Sequence, residues 1–314
     1  MRRLDPLVAT ARNLVEPHLA PGAVVAVSGG ADSLALAAVV AFFVRRRGSD
    51  ARAVVVDHGL QAGSADVAAR AAEQCESLGL PAVVSTVAVR DLGTGPEDAA
   101  RTARYRALHQ AAGHAPILLA HTLDDQAETV LLGLARGSGP RAIDGMRPVS
   151  GRLHRPLLTL RRSETERICG LHDLDWWSDP HNDDAGYRRV RVRRELLPLM
   201  EDVLGGGVAE ALGRTADLVR ADADLLDAMA SAETPASGEI GDVESFADLD
   251  RAVRLRVWRR LAVAAGASAG ELSHAHTLAL DGLLRARGGT LIELPGGVKA
   301  VREGRRVHFV PRDV

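Results

Sequence analysis

The sequence predicts an α/β fold, a parallel doubly wound sheet followed by a mainly α-helical second domain that ends in a small β-sheet. Three observations carry this. Short Val, Ala and Leu runs at 23–27, 51–56, 82–89 and 117–120 have the apolar character of strands covered on both faces. Helix-length stretches near 33–47, 64–78, 96–112 and 123–136 alternate with them. Beyond residue 207 three helical stretches follow, near 208–231, 244–265 and 272–287, before short runs at "TLIELPGG", "VKAVREG" and "RRVHFV". Gly205, Gly206 and Gly207 make the best linker, which sets domains at 1–204 and 208–314.

Composition narrows the class. Hydrophobic residues are 46% of the 314 but aromatics only 3%, so the core must be built from Ala, Val and Leu. A net charge of −2 supplies no global field toward nucleic acid, and any such binding needs local patches. Cys75 and Cys169 form no CxxC, which argues for two buried thiols in a reducing cytoplasm rather than a disulfide or zinc site. The N-terminus has no signal-like character, and the longest apolar run, 34–44, is too short for a bilayer. A cytoplasmic protein with no membrane partner is therefore expected.

Ligands of a parallel sheet bind beyond the carboxyl ends of its strands, so the chemistry is sought just after Val27, Val56, Val89 and Ala120. After the first strand comes Ser28-Gly29-Gly30-Ala31-Asp32-Ser33, which opens a helix. The glycines allow close approach to an anion, the helix start offers unpaired N–H groups, and the serines add hydroxyls. A GxxxxGK[ST] loop would need a lysine, and this loop has none; the G-x-G-x-x-G spacing fails too. An ordinary strand-to-helix turn with a polar cap is the plain alternative. Asp32 argues against it, because an acid beside phosphates makes sense mainly as a Mg²⁺ ligand.

After the fourth strand comes "AHTLDDQAETVLLGLARGSG". Leu123, Ala127, Val130, Leu131 and Leu134 form one helical stripe, and opposite it Asp124, Asp125 and Glu128 crowd the first turns beside His121. A solvated acidic start complemented by the helix dipole is the alternative. Further on, Ser163-Glu164-Thr165-Glu166 reads as a capping box opening a helix through His172. Two arginine runs stand out: Arg188, Arg189, Arg191, Arg193 and Arg194, and then Arg251, Arg254, Arg256, Arg259 and Arg260 beside Trp258. Phosphate contact suits the first, and a solvated helix face is the usual explanation for the second.

The loop resembles the SGGxDS loop of the N-type ATP pyrophosphatases, which cleave ATP between the α and β phosphates. In order, "VDHGL", "EDAARTARY", "HTLDDQAETVLL", "RGSG", "RPLL" and "NDDAGYRRVRVRRELLP" resemble the motifs of the tRNA(Ile)-lysidine synthetase family. These motifs cover most of 24–200, and the second domain matches in length and outline only. His181 stands where the family has Ser, Val190 where it has Asn, and Ala142-Ile143 where it has Gly-Leu.

The resemblance implies an adenine-nucleotide alpha-hydrolase-like fold and two steps. O2 of the wobble cytidine in a CAU anticodon of isoleucine tRNA attacks the α-phosphorus of ATP, and then the ε-amine of L-lysine displaces AMP from C2. ATP would be held by Ser28, Gly29, Gly30, Ala31, Asp32 and Ser33, with Val56, Asp57 and His58 where adenosine docks; turn capping by Asp57 and His58 is equally open. Asp32 would hold Mg²⁺, His121 would donate to the α-phosphate, and Arg101 or Arg104 would meet the developing charge. Asp124, Asp125 and Glu128 would take the lysine ammonium, with Asp125 or Glu128 as base. Arg136, Asn182, Asp184, Arg189 and Arg193 would face tRNA. A homodimer is left open, as are another tRNA-modifying ligase of the superfamily and a non-catalytic ATP-binding module.

Overall fold

The computed structural model describes residues 5–59, 63–88, 96–137, 139–178 and 186–311. The elements begin with α1 (Pro6–Val15), β1 (Ala23–Val27), α2 (Ala31–Arg47), β2 (Ala51–Asp57), α3 (Ser64–Ser77), β3 (Ala82–Thr86), α4 (Pro96–Ala112) and β4 (Ile117–Leu118). There follow α5 (Leu123–Arg136), α6 (Pro140–Ile143), β5 (Val149–Ser150), β6 (Leu153–His154), α7 (Arg162–Leu171), α8 (Arg188–Arg191) and α9 (Leu197–Leu204). The chain closes with α10 (Val208–Glu233), α11 (Val243–Ala247), α12 (Arg251–Ala264), α13 (His274–Gly282), β7 (Leu291–Glu293), β8 (Lys299–Glu303) and β9 (Arg306–Val310). Two compact units result, Met1–Leu132 with Met146–Gly213, and Gly133–Gly145 with Arg214–Val314. The division falls within α10, just after Gly213, and assigns 133–145 to the second unit.

In the first unit six strands lie in the order β3-β2-β1-β4-β6-β5, all parallel except the β5–β6 pair. Period-two alternation sorts the side chains of each strand between two helical layers. Ala23, Val25 and Val27 join the cluster that contains the buried face of α2, whereas Val24 packs with Val54, Leu108 of α4 and Ile117. Every strand of the sheet's centre is thus buried on both faces, which is why it reads as continuously apolar. β1 and β2 pair in register from Ala23 with Ala51 to Val27 with Val55, and β2 runs two residues further, to Asp57. The crevice beyond their tips and that of β4 receives the loops at 28–33, 57–59 and 120–123.

The second unit packs α11, α12 and α13 against an antiparallel sheet in the order β7-β8-β9. Trp258 is completely buried at its centre, edge-on to Phe246 at 4.9 Å and near Phe309 at 6.3 Å. An isolated bridge between Ile240 and Val307 extends the β-pairing.

The predicted fold class holds, and several boundaries move. The stretch 244–265 is two helices, because Asp242 caps the first through the Glu244 and Ser245 N–H groups and the chain leaves helical geometry at Asp250. The capping box at 163–166 is replaced. α7 starts at Arg162, its cap is Arg161, and the Glu164 carboxylate accepts the Arg161 N–H at 2.7 Å. Asp124 of α5 accepts the next N–H, that of Arg162, also at 2.7 Å, so a neighbouring helix completes the cap. Thr165 is thereby freed for other work. Val89 lies outside the described residues.

Candidate active site

Gly29, at φ +85°, lies in the left-handed region where a side chain is strained, and a Cβ there would meet Val67 and Ala71 of α3 at 3.4 and 3.5 Å. Gly30 then takes an extended cap conformation, and α2 begins at Ala31. Ser33 ties the loop to itself: its Oγ accepts the Ser28 N–H at 3.1 Å, donates to the Gly30 carbonyl at 2.8 Å and lies 3.3 Å from Ser28 Oγ. A loop closed this way is preorganised, with the helix's unpaired N–H groups at its floor.

The loop lines a cavity of about 570 Å³, within the range of small-molecule sites. Of the residues singled out in the sequence, Ser28, Gly30, Ala31, Asp32, Ser33, Val56, Asp57, His58, Arg104, His121, Asp125, Glu166, Arg193 and Arg194 line it, and Gly29, Arg101, Asp124, Glu128, Arg136 and Arg189 do not. Asn182 and Asp184 lie outside the described residues. Arg136 is exposed at the end of α5. Arg101 lies over the Tyr105 ring at 5.0 Å and donates to its hydroxyl at 3.3 Å. Asp57 is buried and caps its own turn, accepting the Gly59 N–H at 3.0 Å.

The acids at the start of α5 divide by partner. Asp124 faces Arg161 at 3.3 Å besides capping α7. Asp125, 9% exposed, accepts the Thr122 N–H at 2.9 Å and its hydroxyl at 3.1 Å on Oδ2, leaving Oδ1 to Arg162 at 3.4 Å and Arg193 at 3.3 Å. Burial raises the pKa of Asp125, but Arg162 and the Thr122 N–H outweigh it and hold the carboxyl below its usual range. Glu128 has no exposed surface; Arg189 meets it at 2.8 Å and Arg193 at 2.5 Å. A buried carboxylate alone would be costly, and two guanidiniums four residues apart on one helical segment compensate it.

Asp32 has a different balance. Thr165 donates its hydroxyl to one oxygen, and Arg162 approaches the other at 3.3 Å. Burial still dominates and raises the Asp32 pKa above its ordinary value. Burial likewise drives His121 down to about 4, so its ring is neutral at pH 7. Buried Nδ1 atoms of His121 and His58 have no protein partner.

Sequence reasoning missed Arg162, Thr165, Trp176 and Trp177, all but Thr165 lining the cavity. A signal for Arg162 was available. Arg161 and Arg162 sit at a helix start, where positive charge opposes the dipole, so carboxylates had to be waiting for them. No comparable periodicity marks 174–178, a segment whose Trp177 N–H bonds the Gly29 carbonyl at 3.0 Å.

The parallel sheet, the glycine loop at the tip of its first strand and the absence of a loop lysine define the PP-loop class, and the model of the PP-loop domain matches residues 5–200. The chain is 51% identical to the tRNA(Ile)-lysidine synthase of Leifsonia xyli subsp. xyli, over 94% of its own length and 92% of that protein's. It is 48% identical to the tRNA(Ile)-lysidine synthase of Thermobifida fusca over 90% and 88%. The chain belongs to the tRNA(Ile)-lysidine synthase family. Among solved structures, the U34-tRNA thiolase NcsA from Methanococcus maripaludis, with its [4Fe-4S] cluster, has the same fold at a TM-score of 0.57 and 16% identity, covering 68% of this chain and 80% of that one. Cys75 and Cys169 are free and buried here, and burial pushes each thiol up to about 12, an inert state.

Proposed function

We propose that this protein is an ATP-dependent ligase that joins L-lysine to C2 of the wobble cytidine of the CAU anticodon of isoleucine tRNA, through an adenylated cytidine, and releases AMP and pyrophosphate. The observation that carries this reading is a lysine-free glycine loop sharing one cavity with His121 and Asp125, in a chain whose relatives carry that name at about half identity.

In the first step the cytidine O2 attacks the α-phosphorus, and the bond to the bridging oxygen of the β phosphate breaks. Ser28, Ser33 and the backbone N–H groups at the start of α2 hold the departing pyrophosphate. His121, neutral at pH 7, offers one N–H to an α-phosphate oxygen without the cost of a buried cation. Arg104 lines the cavity and is the arginine of α4 that meets the charge.

In the second step the amine attacks C2, and AMP leaves with the O2 oxygen. At pH 7 deprotonating a lysine amine costs roughly 4–5 kcal/mol, so the ammonium must be drawn in as a cation. Asp125, its carboxyl held below its usual range and lining the cavity, suits that attraction. Glu128 acts one layer out, fixing Arg189 and Arg193.

A Mg²⁺ ion fits the donor set. No group of three His, Cys, Asp or Glu that could hold a metal occurs among the described residues, so the ion would take Asp32 and phosphate oxygens, coordination that magnesium favours. It would supply neutralisation of the leaving pyrophosphate. No helix among the described residues is long and apolar enough to cross a membrane.

The test is lysine incorporation into isoleucine and methionine tRNA transcripts, both carrying CAU. Labelled lysine in the isoleucine transcript alone, dependent on ATP, is expected. Labelling of neither transcript, or of both equally, contradicts the reading.

A further inference from the structure

Helix α3 and the segment 174–178 both contact the Gly29–Gly30 peptide. Val67 and Ala71 of α3 lie within van der Waals reach of the position a Gly29 Cβ would take. Gln74, three residues further along the same face of α3, pairs its side-chain amide with the backbone of Asp175: Gln74 Nε2 donates to the Asp175 carbonyl at 2.9 Å, and Gln74 Oε1 accepts the Asp175 N–H at 2.9 Å. Two residues on, the Trp177 N–H donates to the Gly29 carbonyl at 3.0 Å. The segment 174–178 is therefore a strap, pinned to α3 at one point and to the glycine loop at the other.

The consequence lies in peptide geometry. The described chain contains no cis peptide bond, and in a trans peptide the N–H points opposite to the C=O. With the Gly29 carbonyl held by Trp177, the Gly30 N–H is turned the other way. Gly30 lines the cavity whereas Gly29 does not, in keeping with that orientation. A peptide flanked by two glycines meets little steric resistance to flipping, and a flip would aim a carbonyl oxygen at an anion. Something must hold this peptide, and the strap does so.

We propose that Gln74 is a positioning residue for the phosphate loop: through Asp175 and Trp177 it locks the Gly29–Gly30 peptide with its donor toward the cavity. The proposal rests on the reading that this loop receives the pyrophosphate portion of ATP. It assigns a role in nucleotide affinity to a side chain that touches no substrate.

The experiment uses the full chain and inorganic pyrophosphate, titrated by calorimetry. Gln74→Ala should weaken pyrophosphate binding about 5- to 30-fold, the cost of one or two hydrogen bonds, and raise the KM for ATP in parallel. The KM for lysine and the thermal midpoint should stay put, and amide exchange across 175–177 should accelerate. Gln74→Glu, which keeps the acceptor for the Asp175 N–H but loses the donor, should fall between. Trp177→Pro, which deletes the loop-facing N–H, should exceed Gln74→Ala. Wild-type protein that binds pyrophosphate no better than Gln74→Ala overturns the role of Gln74 alone. Wild-type protein that binds no pyrophosphate overturns the loop reading and this role with it. A Gln74→Ala variant whose lysine KM and thermal midpoint move together with its ATP KM marks general destabilisation and also overturns the proposal.

Discussion

Arg189 and Arg193 in the first unit, and Arg254, Arg256, Arg259 and Arg260 in the second, each belong to an arginine run in the sequence, yet their partners differ in kind. The first pair reaches inward to the buried Glu128, and Arg193 also reaches Asp125 at the cavity wall. The second set is spent on its own unit. Arg254 meets Asp281 at 2.6 Å, and the same carboxylate accepts the Trp258 indole N–H at 3.2 Å. Arg256 pairs with Asp227, Arg259 donates to the Leu272 and Ala269 carbonyls, and Arg260 bonds Thr234 and Ser231. An arginine run is a statement about donors; which acceptors the fold brings to it decides whether it serves a site or a scaffold. In the second run Arg254 and Arg256 are half-buried against neighbouring helices, while Arg251, Arg259 and Arg260 lie on the exposed face.

The contrast can be broken most forcefully at Glu128. Glu128→Ala leaves two partly exposed guanidiniums without their acid and a cavity in its place, and should cost about 1–3 kcal/mol of stability, read by denaturant unfolding. Glu128→Gln keeps an acceptor for the two arginines and loses the charge; it should spare ATP affinity and slow lysine transfer about 10-fold by loosening Arg193 beside Asp125, read by single-turnover labelling. Transfer at the wild-type rate would remove Glu128 from the account.

The next effect is read by pH. The His121 pKa is lowered to about 4, so the unfolded chain binds a proton near pH 6.5 that the folded chain refuses until about 4. Its contribution to stability is therefore fully present above pH 6.5 and is lost as pH falls from there toward 4, amounting to as much as ~3 kcal/mol. Unfolding free energies of wild type and His121→Gln should converge over that interval. Parallel curves would mean the ring is not buried as described.

Asp281→Asn probes the scaffold side. Losing the charge beneath Arg254 and the buried Trp258 should cost about 1–3 kcal/mol and leave the KM for ATP unchanged. The smallest effect is expected for Arg256→Ala with Arg260→Ala, one half-buried pairing and one exposed, which contribute about 0–1 kcal/mol each. If these arginines serve the fold alone, the salt dependence of tRNA binding should not change. A slope flattened by about 0.7–0.9 per arginine would instead assign them to phosphates.

Much of this was legible because parallel strands buried on both faces leave a continuous apolar trace and because glycine at a strand tip has few other uses. The loop 28–33, His121 and Asp125 fell out of strand position alone and do share a cavity. What the sequence hid was pairing across distance. Arg162 reaches Asp32 across 130 positions and Asp125 across 37, and no periodicity encodes such contacts. Thr165 looked like part of a cap because its neighbours are cap-forming residues, and only the packing of α7 on α2 turns it toward Asp32. The short pair β5–β6, two residues per strand around Gly151, lies below the length at which alternation can be read.

The central claim is that the glycine loop takes the two outer phosphates and leaves the α-phosphorus to a nucleic-acid oxygen. ATP radiolabelled at the α-phosphorus, incubated with the full chain, lysine and the isoleucine tRNA transcript, tests it directly. The account predicts labelled AMP formed mole for mole with lysine-modified tRNA, together with pyrophosphate. Labelled ADP, or AMP released at the same rate without tRNA, would contradict it.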